Sequence, residues 1–460
     1  MQRLLLLCLS TALTAPLAWG QGPQPVFVPY TNEQVKVEKR LWNDPVWKTP
    51  FQAALNEDQK IAGLSRFWAE AKNSFVYFDK RPHLSWDSLY LAYLPKVRTA
   101  PTTLAYYQLL QEMCAQLRDG HTNVYAPTEL DKELYERPPL RIDLVEDKVL
   151  ITGVRSETLR RQGLAVGQEI AAVDGVPVRE YGRARAPQQS SSTPQDRDVR
   201  TYSYTLLSGK ADRPVVLTLR DAKGRSVQQT VARSGYSDKD PARLVLEVKI
   251  LPGNVGYVAL NTFDDPSLTK LFAEAYPQLS QTAALILDVR NNGGGNGSIG
   301  FDVLSYLTDK PIPNSKWVAR ADMPLLRAWQ VPPQWVTAAG MPSTPPKGAG
   351  KLYANPVVVL TSARTFSAAE DFAVAFDLMK RGTILGEPTG GSTGQPLEFD
   401  LPGGGSARVC SKRDSYPDGK EFVGVGVQPQ VLVRPTVKDV RSGHDTVLEA
   451  ALQHLKRKTK

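Results

Sequence analysis

Two stretches of the chain combine the residue types that acyl-transfer chemistry needs. The first, Leu285 to Gly300, is an apolar run that ends in Asp-Val-Arg-Asn-Asn-Gly-Gly-Gly. The second, Val357 to Met379, is an apolar run followed by Thr-Ser-Ala-Arg-Thr-Phe-Ser and then by apolar residues at helical spacing. Each pattern predicts a short buried strand that feeds a turn, and the second turn opens a helix. Ser367 would lie at that turn, where unpaired backbone N–H groups and the helix dipole favour the oxyanion that a serine nucleophile generates.

The glycines at 293 to 295 favour a second loop close to Ser367, because residues without side chains let backbone N–H groups approach closely. The same stretches also have an ordinary structural interpretation. Ser367 and Glu370 form a capping-box pattern, Ser-x-x-Glu before an apolar run, which many helices use only to satisfy their first amides. Asp288 and Arg290 after a strand are often a simple ion pair. The combination of both stretches favours a catalytic site over a cap.

A serine nucleophile needs a general base, and the chain has four histidines. His121 directly follows Arg-Asp-Gly at the end of a helical pattern, on a loop, and is therefore the best placed of them. The other three occupy positions typical of surface or helix-start residues, namely His83, His444 and His454. The sequence contains no His-Glu-x-x-His or Cys-x-x-Cys metal spacing, no Gly-x-Ser-x-Gly motif and no phosphate-binding loop.

The secondary structure that must position these residues is predicted to differ from one part of the chain to the next. Phe51 to Leu117 has apolar residues at helical spacing, and Leu140 to Ser234 shows short alternating runs typical of strands. From Leu244 onward strands and helices alternate, which predicts an α/β arrangement with a largely parallel sheet. Ala186 to Asp198, rich in Gln, Ser and Pro, is expected to be a flexible loop. Pro311 to Gly350, rich in Pro and Trp, is expected to be a covering loop or an insertion on the substrate side.

The overall composition limits the classes of protein to which the chain can belong. With 460 residues, 42% hydrophobic and 22% charged, the chain is long enough for several ordinary globular domains. The net charge of +9 comes from scattered basic residues, and the only dense run is the short tail from Lys456 to Lys460. We therefore expect no nucleic-acid partner.

The N-terminus has the pattern of a secretory signal peptide. Arg3 precedes an apolar block from Leu4 to Leu17, and Ala18-Trp19-Gly20 offers small residues for cleavage near Gly20. No later apolar run is long enough for an integral membrane segment. We expect a chain that is exported to the periplasm or the extracellular space. In such a compartment Cys114 and Cys410 could pair or remain as buried thiols.

Taken in order, these motifs resemble the C-terminal processing (tail-specific) serine peptidases and their tricorn-core relatives. The resemblance covers nearly the whole chain after the signal peptide. It rests on six segments: Leu117 to Thr122, Gly163 to Val176, Asp288 to Gly295, Thr365 to Glu370, Gly386 to Gly391, and Gly424 to Pro429.

The resemblance implies a multidomain α/β protein. After a signal peptide at 1–20, residues 21–135 would form an N-terminal helical region that carries His121. Residues 136–238 would form a PDZ-like β domain, and residues 239–460 an α/β spiral (ClpP/crotonase-like) serine peptidase core. PDZ domains bind extended peptides at a sheet edge and often capture their C-terminal carboxylate with backbone N–H groups.

The resemblance also implies roles for individual residues. Ser367 would be the nucleophile, and the N–H groups of Gly294 and Ala368 would form the oxyanion hole. The PDZ-like module would bind the tail of a peptide or protein substrate through residues that include Gly163, Leu164 and Ala165. No cofactor or metal is required.

The general base differs between two branches of the family. One branch uses a lysine, but here Ser392 falls about where that lysine would be. The other branch uses a histidine at the position that His121 matches. In that branch a serine precedes the histidine and relays to a distant glutamate, whereas here Gly120 stands in its place. Glu370 and Asp119 are both open candidates for the group that orients His121.

We therefore predict a serine-type endopeptidase in which Ser367 attacks the peptide bond and His121 acts as general base. Two alternatives remain open. The same scaffold can serve as a non-catalytic binding protein for peptides or apolar ligands, as in retinoid-binding relatives. It could also support another serine hydrolase activity, such as that of an esterase.

Overall fold

The computed structural model describes residues 28–42, 44–235, 244–338, 342–346 and 350–458. The predicted signal peptide at 1–20 lies outside these ranges. The chain divides into two compact units, one up to Val46 and the other from Trp47 onward. The first unit contains helix α1 (Asn32–Trp42). Within the described ranges, no helix combines the length and the apolar character that crossing a bilayer would require.

The second unit is a mixed α/β structure. Its helices are α2 (Glu57–Ser74), α3 (Trp86–Arg98), α4 (Thr103–Ala115), α5 (Asp131–Leu134), α6 (Glu157–Arg161), α7 (Val178–Arg185), α8 (Pro194–Asp198), α9 (Ser267–Leu279), α10 (Gly297–Leu304), α11 (Pro324–Ala328), α12 (Ala368–Leu378), α13 (Val437–Ser442) and α14 (Thr446–Lys458). Its strands are β1 (Asn123–Tyr125), β2 (Leu140–Val145), β3 (Lys148–Val154), β4 (Glu169–Val173), β5 (Val176–Pro177), β6 (Val215–Arg220), β7 (Ser226–Val231), β8 (Leu246–Leu251), β9 (Val255–Leu260), β10 (Ala284–Asp288), β11 (Ile312–Pro313), β12 (Lys316–Ala321), β13 (Gln334–Thr337), β14 (Ser343–Thr344), β15 (Val357–Thr361), β16 (Thr383–Gly386), β17 (Pro396–Leu401), β18 (Gly405–Cys410), β19 (Arg413–Ser415) and β20 (Val431–Leu432).

Helices α2, α3 and α4 pack together ahead of the first strand. Helix α2 begins at Asn56, whose side chain accepts the N–H of Gln59 at 2.8 Å in a capping box. Helix α4 buries its apolar stripe in the main core, and its Tyr107 hydroxyl donates to the carbonyl of Pro402 at 2.7 Å. That bond ties the helix that precedes His121 to the turn between β17 and β18.

A five-strand antiparallel path, in the order β2-β3-β4-β6-β7, forms a separate layer with its own core. Apolar residues alternate along β6, where Val215, Leu217 and Leu219 are buried. This alternation is the pattern of a sheet with one face packed and the other solvated.

The central sheet has the order β20-β16-β15-β10-β9-β8, and all of its pairs are parallel except β8 with β9. Every residue of β10 and β15 is buried, as expected for parallel strands that are covered on both faces. Asp288 at the end of β10 pairs in register with Leu360 near the end of β15. Since parallel strands end at the same edge of a sheet, the loops after β10 and β15 must meet.

The expectation of a flexible loop at Ala186 to Asp198 is wrong. Its second half is helix α8, in which the Thr193 side chain accepts the N–H of Asp196 at 3.1 Å and Pro194 occupies the first turn. Ser190, Thr193 and Asp196 are buried. The segment is ordered because its polar groups bond to the protein instead of to solvent.

The described part of Pro311 to Gly350 is also more regular than expected. Strand β12 pairs antiparallel with β13 and, on its other side, with β19. Trp317 and Trp335 lie on these strands, a placement that suits aromatic residues on a partly buried sheet surface.

Candidate active site

Ser367 lies on the turn between β15 and α12, as the sequence predicts. Its backbone has φ 55° and ψ −128°, a region that residues with a side chain rarely occupy and that costs about 1–3 kcal/mol. Sharp strand-to-helix turns of this kind hold the nucleophile of serine hydrolases outward. The turn is fixed from both sides, because the Ser367 N–H donates to the Ser392 carbonyl at 3.0 Å and the Phe366 N–H to the Asn292 carbonyl at 3.1 Å.

His121 is brought to this turn from a distant part of the sequence. Its Nε2 lies 3.0 Å from Oγ of Ser367. The imidazole is 3% exposed and stacks on the ring of Phe366, with centroids 4.9 Å apart. The loop is held in place because β1, just after it, pairs antiparallel with β18, and Thr122 Oγ1 accepts the N–H of Cys410 at 3.0 Å.

The other imidazole nitrogen, Nδ1, lies 2.8 Å from Oγ of Ser392. Sequence reasoning placed Ser392 at the position of the family's lysine but assigned it no role. The two carboxylates considered from the sequence are engaged elsewhere. Asp119 accepts the hydroxyls of Thr122 and Ser192 at 2.7 and 3.3 Å.

Glu370 binds the Ser392 loop through both of its carboxyl oxygens. Its Oε2 accepts the N–H groups of Ser392 at 2.8 Å and Ser367 at 3.3 Å, and its Oε1 accepts the N–H of Gly391 at 2.8 Å and the hydroxyl of Thr389. Burial raises the pKa of Glu370 to about 8, while the Thr389 hydroxyl and the two loop amides lower it. Glu370 therefore connects the turn of Ser367 to the loop of Ser392 without contacting the imidazole.

The electrostatic environment keeps the imidazole neutral. Burial holds the pKa of His121 well below its usual range, and the positive charges of Arg408, Arg200 and Lys412 lower this pKa further. A neutral imidazole at neutral pH is the form that can accept a proton. With its proton on Nδ1 and donated to Ser392, Nε2 is free to accept the proton of Ser367.

Gly294 is packed against the nucleophile. It has φ +98°, and a Cβ placed on it would lie 2.6 Å from Cβ of Ser367 and 2.9 Å from the amide nitrogen of Ala368. Only glycine fits this position. The structure therefore brings Gly294 and Ala368 together at Ser367, although the N–H of Gly294 donates to Oδ1 of Asn292 at 2.9 Å.

Gly163, Leu164 and Ala165 lie in a turn after α6. Their amides already have acceptors: Gly163 donates to the Arg160 carbonyl, Leu164 to the Leu159 carbonyl and Ala165 to Oε1 of Gln168. The Leu164 side chain is buried in the core of the antiparallel layer. Capture of a peptide carboxylate by these three amides would need donors that the turn already uses.

The segment from Ser190 to Asp198 supports the site, which sequence reasoning missed. Ser192 Oγ accepts the N–H of Gly120 at 2.8 Å, and Thr193 Oγ1 donates to the Gly390 carbonyl at 2.8 Å. A Cβ placed on Gly120 would lie 2.9 Å from both Oδ2 of Asp196 and Oγ of Ser392. The absence of a side chain at 120 thus leaves room for Ser392 beside the imidazole.

Cys114 and Cys410 are both buried free thiols. Cys114 donates to the Thr122 carbonyl and Cys410 to the Lys412 carbonyl, each at 3.3 Å. Burial raises the pKa of both thiols, so both are protonated at neutral pH.

Known proteins resemble this chain in sequence. Residues 254–433 match the model of Peptidase family S41. The carboxyl-terminal-processing protease of Synechocystis sp. is 25% identical over 426 residues, which cover 88% of this chain and 89% of that protein. The chloroplastic C-terminal processing peptidase of Tetradesmus obliquus is 28% identical over 305 residues, which cover 64% of this chain and 58% of that protein.

Solved structures share the fold. Mature CPAF superposes with a TM-score of 0.65 at 16% identity, covering 88% of this chain and 97% of that one. The photosystem II D1 C-terminal processing protease gives a TM-score of 0.50 at 24% identity, covering 84% and 98%. The chain is therefore similar to Peptidase family S41 over residues 254–433 and to the carboxyl-terminal-processing proteases over most of its length, and these similarities support a serine-type peptidase.

Proposed function

We propose that the protein hydrolyses peptide bonds with Ser367 as nucleophile and His121 as general base. The observation that carries this proposal is the 3.0 Å separation of Oγ and Nε2, with the serine on a strained strand-to-helix turn. A neutral imidazole within hydrogen-bond reach of a serine is the arrangement that activates the hydroxyl.

The reaction follows from these contacts. His121 Nε2 takes the hydroxyl proton as Ser367 Oγ bonds to the carbonyl carbon, and the carbonyl electron pair moves to oxygen. The oxyanion collapses, the C–N bond breaks, and the imidazolium gives its proton to the leaving amine. Water, deprotonated by His121, then attacks the acyl-enzyme, and Ser367 regains its proton.

Ser392 and Glu370 serve as positioning residues in this proposal. The Ser392 hydroxyl accepts the Nδ1 proton, which holds the ring with Nε2 toward Ser367. Glu370 holds the Ser392 backbone through its amide. A hydroxyl here replaces the carboxylate of a conventional triad, so the imidazolium gains a neutral hydrogen bond instead of an ion pair.

The oxyanion would be stabilised by the N–H of Ala368 at the start of α12 together with an N–H from the glycine loop. For Gly294 to be that donor, its amide must leave Oδ1 of Asn292 when substrate binds, since one N–H serves one good acceptor. Helix α12 adds the positive end of its dipole at the same place.

The antiparallel layer from Leu140 to Val231 would act as the PDZ-like module that binds the tail of a peptide or protein substrate. In favour of this role, the sequence Gly163 to Val176 resembles the core of a PDZ domain, and the layer has its own hydrophobic core. The apolar block from Leu4 to Leu17 further supports export of the chain to the periplasm or the extracellular space.

Fluorophosphonate labelling with peptide mapping tests the nucleophile. We expect the adduct on Ser367, its loss in Ser367→Ala, and a labelling rate at least about a hundredfold lower in His121→Ala, since general-base catalysis contributes about 10²–10⁴. His454→Ala, on the last helix, is the matched control and should label normally.

If the intact protein leaves Ser367 unlabelled while it binds peptides, a non-catalytic binding protein replaces this proposal. If it labels but cleaves simple esters and no peptide, an esterase does.

A further inference from the structure

The backbone just before the proposed general base is held by an arginine from another part of the chain. Arg200 lies on a π-helical segment, Val199–Thr205, which continues from α8 between β5 and β6. Its Nη2 donates to the Gly120 carbonyl at 3.2 Å. Since that carbonyl belongs to the planar peptide bond that joins Gly120 to His121, the contact restrains the backbone from which the imidazole projects.

Arg200 also contacts the aromatic ring on which the imidazole packs. Its guanidinium carbon lies 5.2 Å from the centroid of the Phe366 ring, within the range of a cation–π interaction. The same ring stacks on the imidazole of His121, with centroids 4.9 Å apart and planes within 5° of parallel. One side chain therefore restrains both the backbone of the imidazole and the ring beside it.

The guanidinium of Arg200 is itself held in place. Its Nε donates to Oδ1 of Asp196 at 2.8 Å, and the exposed fractions of the two side chains are only 20% and 4%. The carboxylate of Asp196 is anchored in turn, because its Oδ2 accepts the N–H of Ser192 at 3.1 Å. A planar guanidinium that is already fixed by a buried carboxylate loses little freedom when it makes further bonds, so it is suited to position other groups.

The backbone around Arg200 departs from a regular α-helix. Its carbonyl accepts the hydroxyl of Thr205, five residues later, at 2.9 Å. π-Helical turns are rare in proteins and occur often at functional sites. The irregular backbone therefore supports a role for Arg200 beyond the stability of its own helix.

We propose that Arg200 is a positioning residue of the peptidase, which holds the imidazole of His121 within hydrogen-bonding distance of Ser367. This role rests on the proposed function, because positioning matters for turnover only if His121 takes the serine proton. Arg200 does not touch the reacting atoms in this role. Displacement of a catalytic group by about 1 Å can cost about a hundredfold in rate, so such restraints are important for turnover.

Arg200 has a second effect on the imidazole, through its charge. Burial is the main cause of the low pKa of His121, and the positive charges of Arg408, Arg200 and Lys412 lower it further. Asp119 is the acidic residue on the same loop. Loss of the Arg200 charge should therefore raise the pKa of His121 and move the acid limb of kcat/KM to higher pH, because only the neutral imidazole accepts a proton.

Arg200→Lys separates position from charge. Lysine keeps the charge, but its ammonium group lacks the planar fork with which arginine bonds Asp196 and the Gly120 carbonyl at the same time. We expect kcat to fall about tenfold at an unchanged KM, because the imidazole is less well placed. The acid limb of kcat/KM should stay where it is.

The double variant Arg200→Gln with Asp196→Asn removes the charge without leaving a buried carboxylate unpaired. It should lower kcat at least as much as Arg200→Lys, and it should also move the acid limb to higher pH. A role of Arg200 in stability alone would change urea unfolding but would move neither kcat nor the acid limb.

NMR of the His121 imidazole detects the positioning without turnover. The ¹⁵N shifts of its ring, assigned by their loss in His121→Ala, report which nitrogen carries the proton. We expect a single form protonated on Nδ1 in the unmodified protein, since Nδ1 lies 2.8 Å from the Ser392 hydroxyl. Arg200→Lys should show a mixture of the two tautomers.

Arg179→Gln is the matched control. Arg179 lies on α7 in the same part of the chain, and its guanidinium carbon is 4.5 Å from the centroid of the Tyr202 ring. It therefore has a comparable cation–π contact, but with a ring that does not support the imidazole. Its kcat should stay within about twofold of that of the unmodified enzyme, and its acid limb should not move.

An unchanged kcat and an unchanged tautomer in Arg200→Lys would overturn the positioning role, as would losses equal to those of Arg179→Gln. If the unmodified protein cleaves no peptide while Arg200→Lys still changes the tautomer of His121, the proposed function fails and the positioning of the imidazole stands. Peptide cleavage that Arg200→Lys leaves intact would do the reverse.

Discussion

The hydroxyl of Ser392 lies 2.8 Å from Nδ1 of His121, so a single imidazole bridges two serines from different loops. The partner that orients the ring is neutral. The two carboxylates considered from the sequence, Asp119 beside His121 and Glu370 beside Ser367, are bound to hydroxyls and amides instead. Removal of the Ser392 hydroxyl should therefore affect the orientation of the imidazole without removing the base itself.

Ser392→Ala should lower kcat by about three- to tenfold with little change in KM, the loss of one neutral hydrogen bond of about 0.5–1.5 kcal/mol. The backbone of residue 392 keeps its bonds to Ser367 and Glu370, so the variant removes only the hydroxyl. Steady-state kinetics measures the change. Ser392→Thr, which retains a hydroxyl, should recover part of the rate. An unchanged kcat in Ser392→Ala would show that the contact has no role in turnover.

Gly120→Ala should reduce activity at least about tenfold and destabilise the fold by about 1–3 kcal/mol, because overpacking a filled site displaces its neighbours. The added methyl would meet Ser392 Oγ and Asp196 Oδ2, each at 2.9 Å. In a Ser392→Ala background one of these contacts is relieved. We therefore expect the double variant to lose less activity and stability than the sum of the two single losses, by a coupling of about 0.5–3 kcal/mol. Strict additivity in kinetics and urea unfolding would contradict the shared space.

Gly294→Ala should abolish fluorophosphonate labelling of Ser367, because its Cβ would lie 2.6 Å from that of the nucleophile and its backbone would be strained at φ +98°. Gly293→Ala is the matched control on the same loop, since a Cβ there meets nothing within 4 Å. Its labelling rate should stay within about threefold of the unmodified enzyme, because a substitution in open space changes stability little. Similar losses in both variants would refute the assignment of close packing to Gly294 alone.

The pH dependence of kcat/KM should show activity that persists below pH 6.5. Only the neutral imidazole accepts a proton, so activity is lost as pH falls through the pKa of His121, and burial together with nearby cations lowers that pKa. Arg408→Gln removes one of these cations. It should raise the pKa and move the acid limb upward, toward pH 6.5.

The control for this shift is Arg225→Gln, an exposed arginine paired with Asp221 in the turn between β6 and β7. It should leave the acid limb in place, because surface charges are screened by solvent. An acid limb that stays fixed in Arg408→Gln, or that moves equally in both variants, would mean that the limb reports a group other than His121.

Glu370→Gln should lower the free energy of unfolding by about 1–3 kcal/mol, because an amide NH2 would face N–H donors that the carboxylate now accepts. Urea unfolding at pH 9, above the pKa of about 8 so that Glu370 is a carboxylate, measures the loss. Glu274→Gln, an exposed glutamate on α9, is the control and should change stability by about 0.5 kcal/mol or less. Equal effects of the two substitutions would remove Glu370 from its role as the connection between the two loops.

Local pattern predicted much of the core. The strands from Ala284 to Asp288 and from Val357 to Thr361 occur in the two apolar runs that predicted them, and Ser367 occupies its expected turn. The residues within each of these elements, and the few beside it, are enough to predict it. The place of Ser392 is different, because its partner His121 is 271 residues away and nothing beside it in the sequence indicates an imidazole.

The segment from Ala186 to Asp198 shows a second limit. A solvated loop and a buried polar segment can both be rich in glutamine, serine and proline. Composition alone therefore predicted the commoner case, the solvated loop. Only its partners decide between them. Thr193 and Ser192 reach Gly390 and Gly120, which lie far away in the chain.

The pairing of β1 with β18 determines when, during synthesis, the candidate site can form. The loop of His121 is held through Thr122 by Cys410, 288 positions later, and by a strand that ends there. Until Cys410 has been synthesised, the emerging chain carries His121 without the strand that holds its loop. Under the proposed mechanism, a chain that ends before β18 should therefore lack peptidase activity without needing an inhibitor.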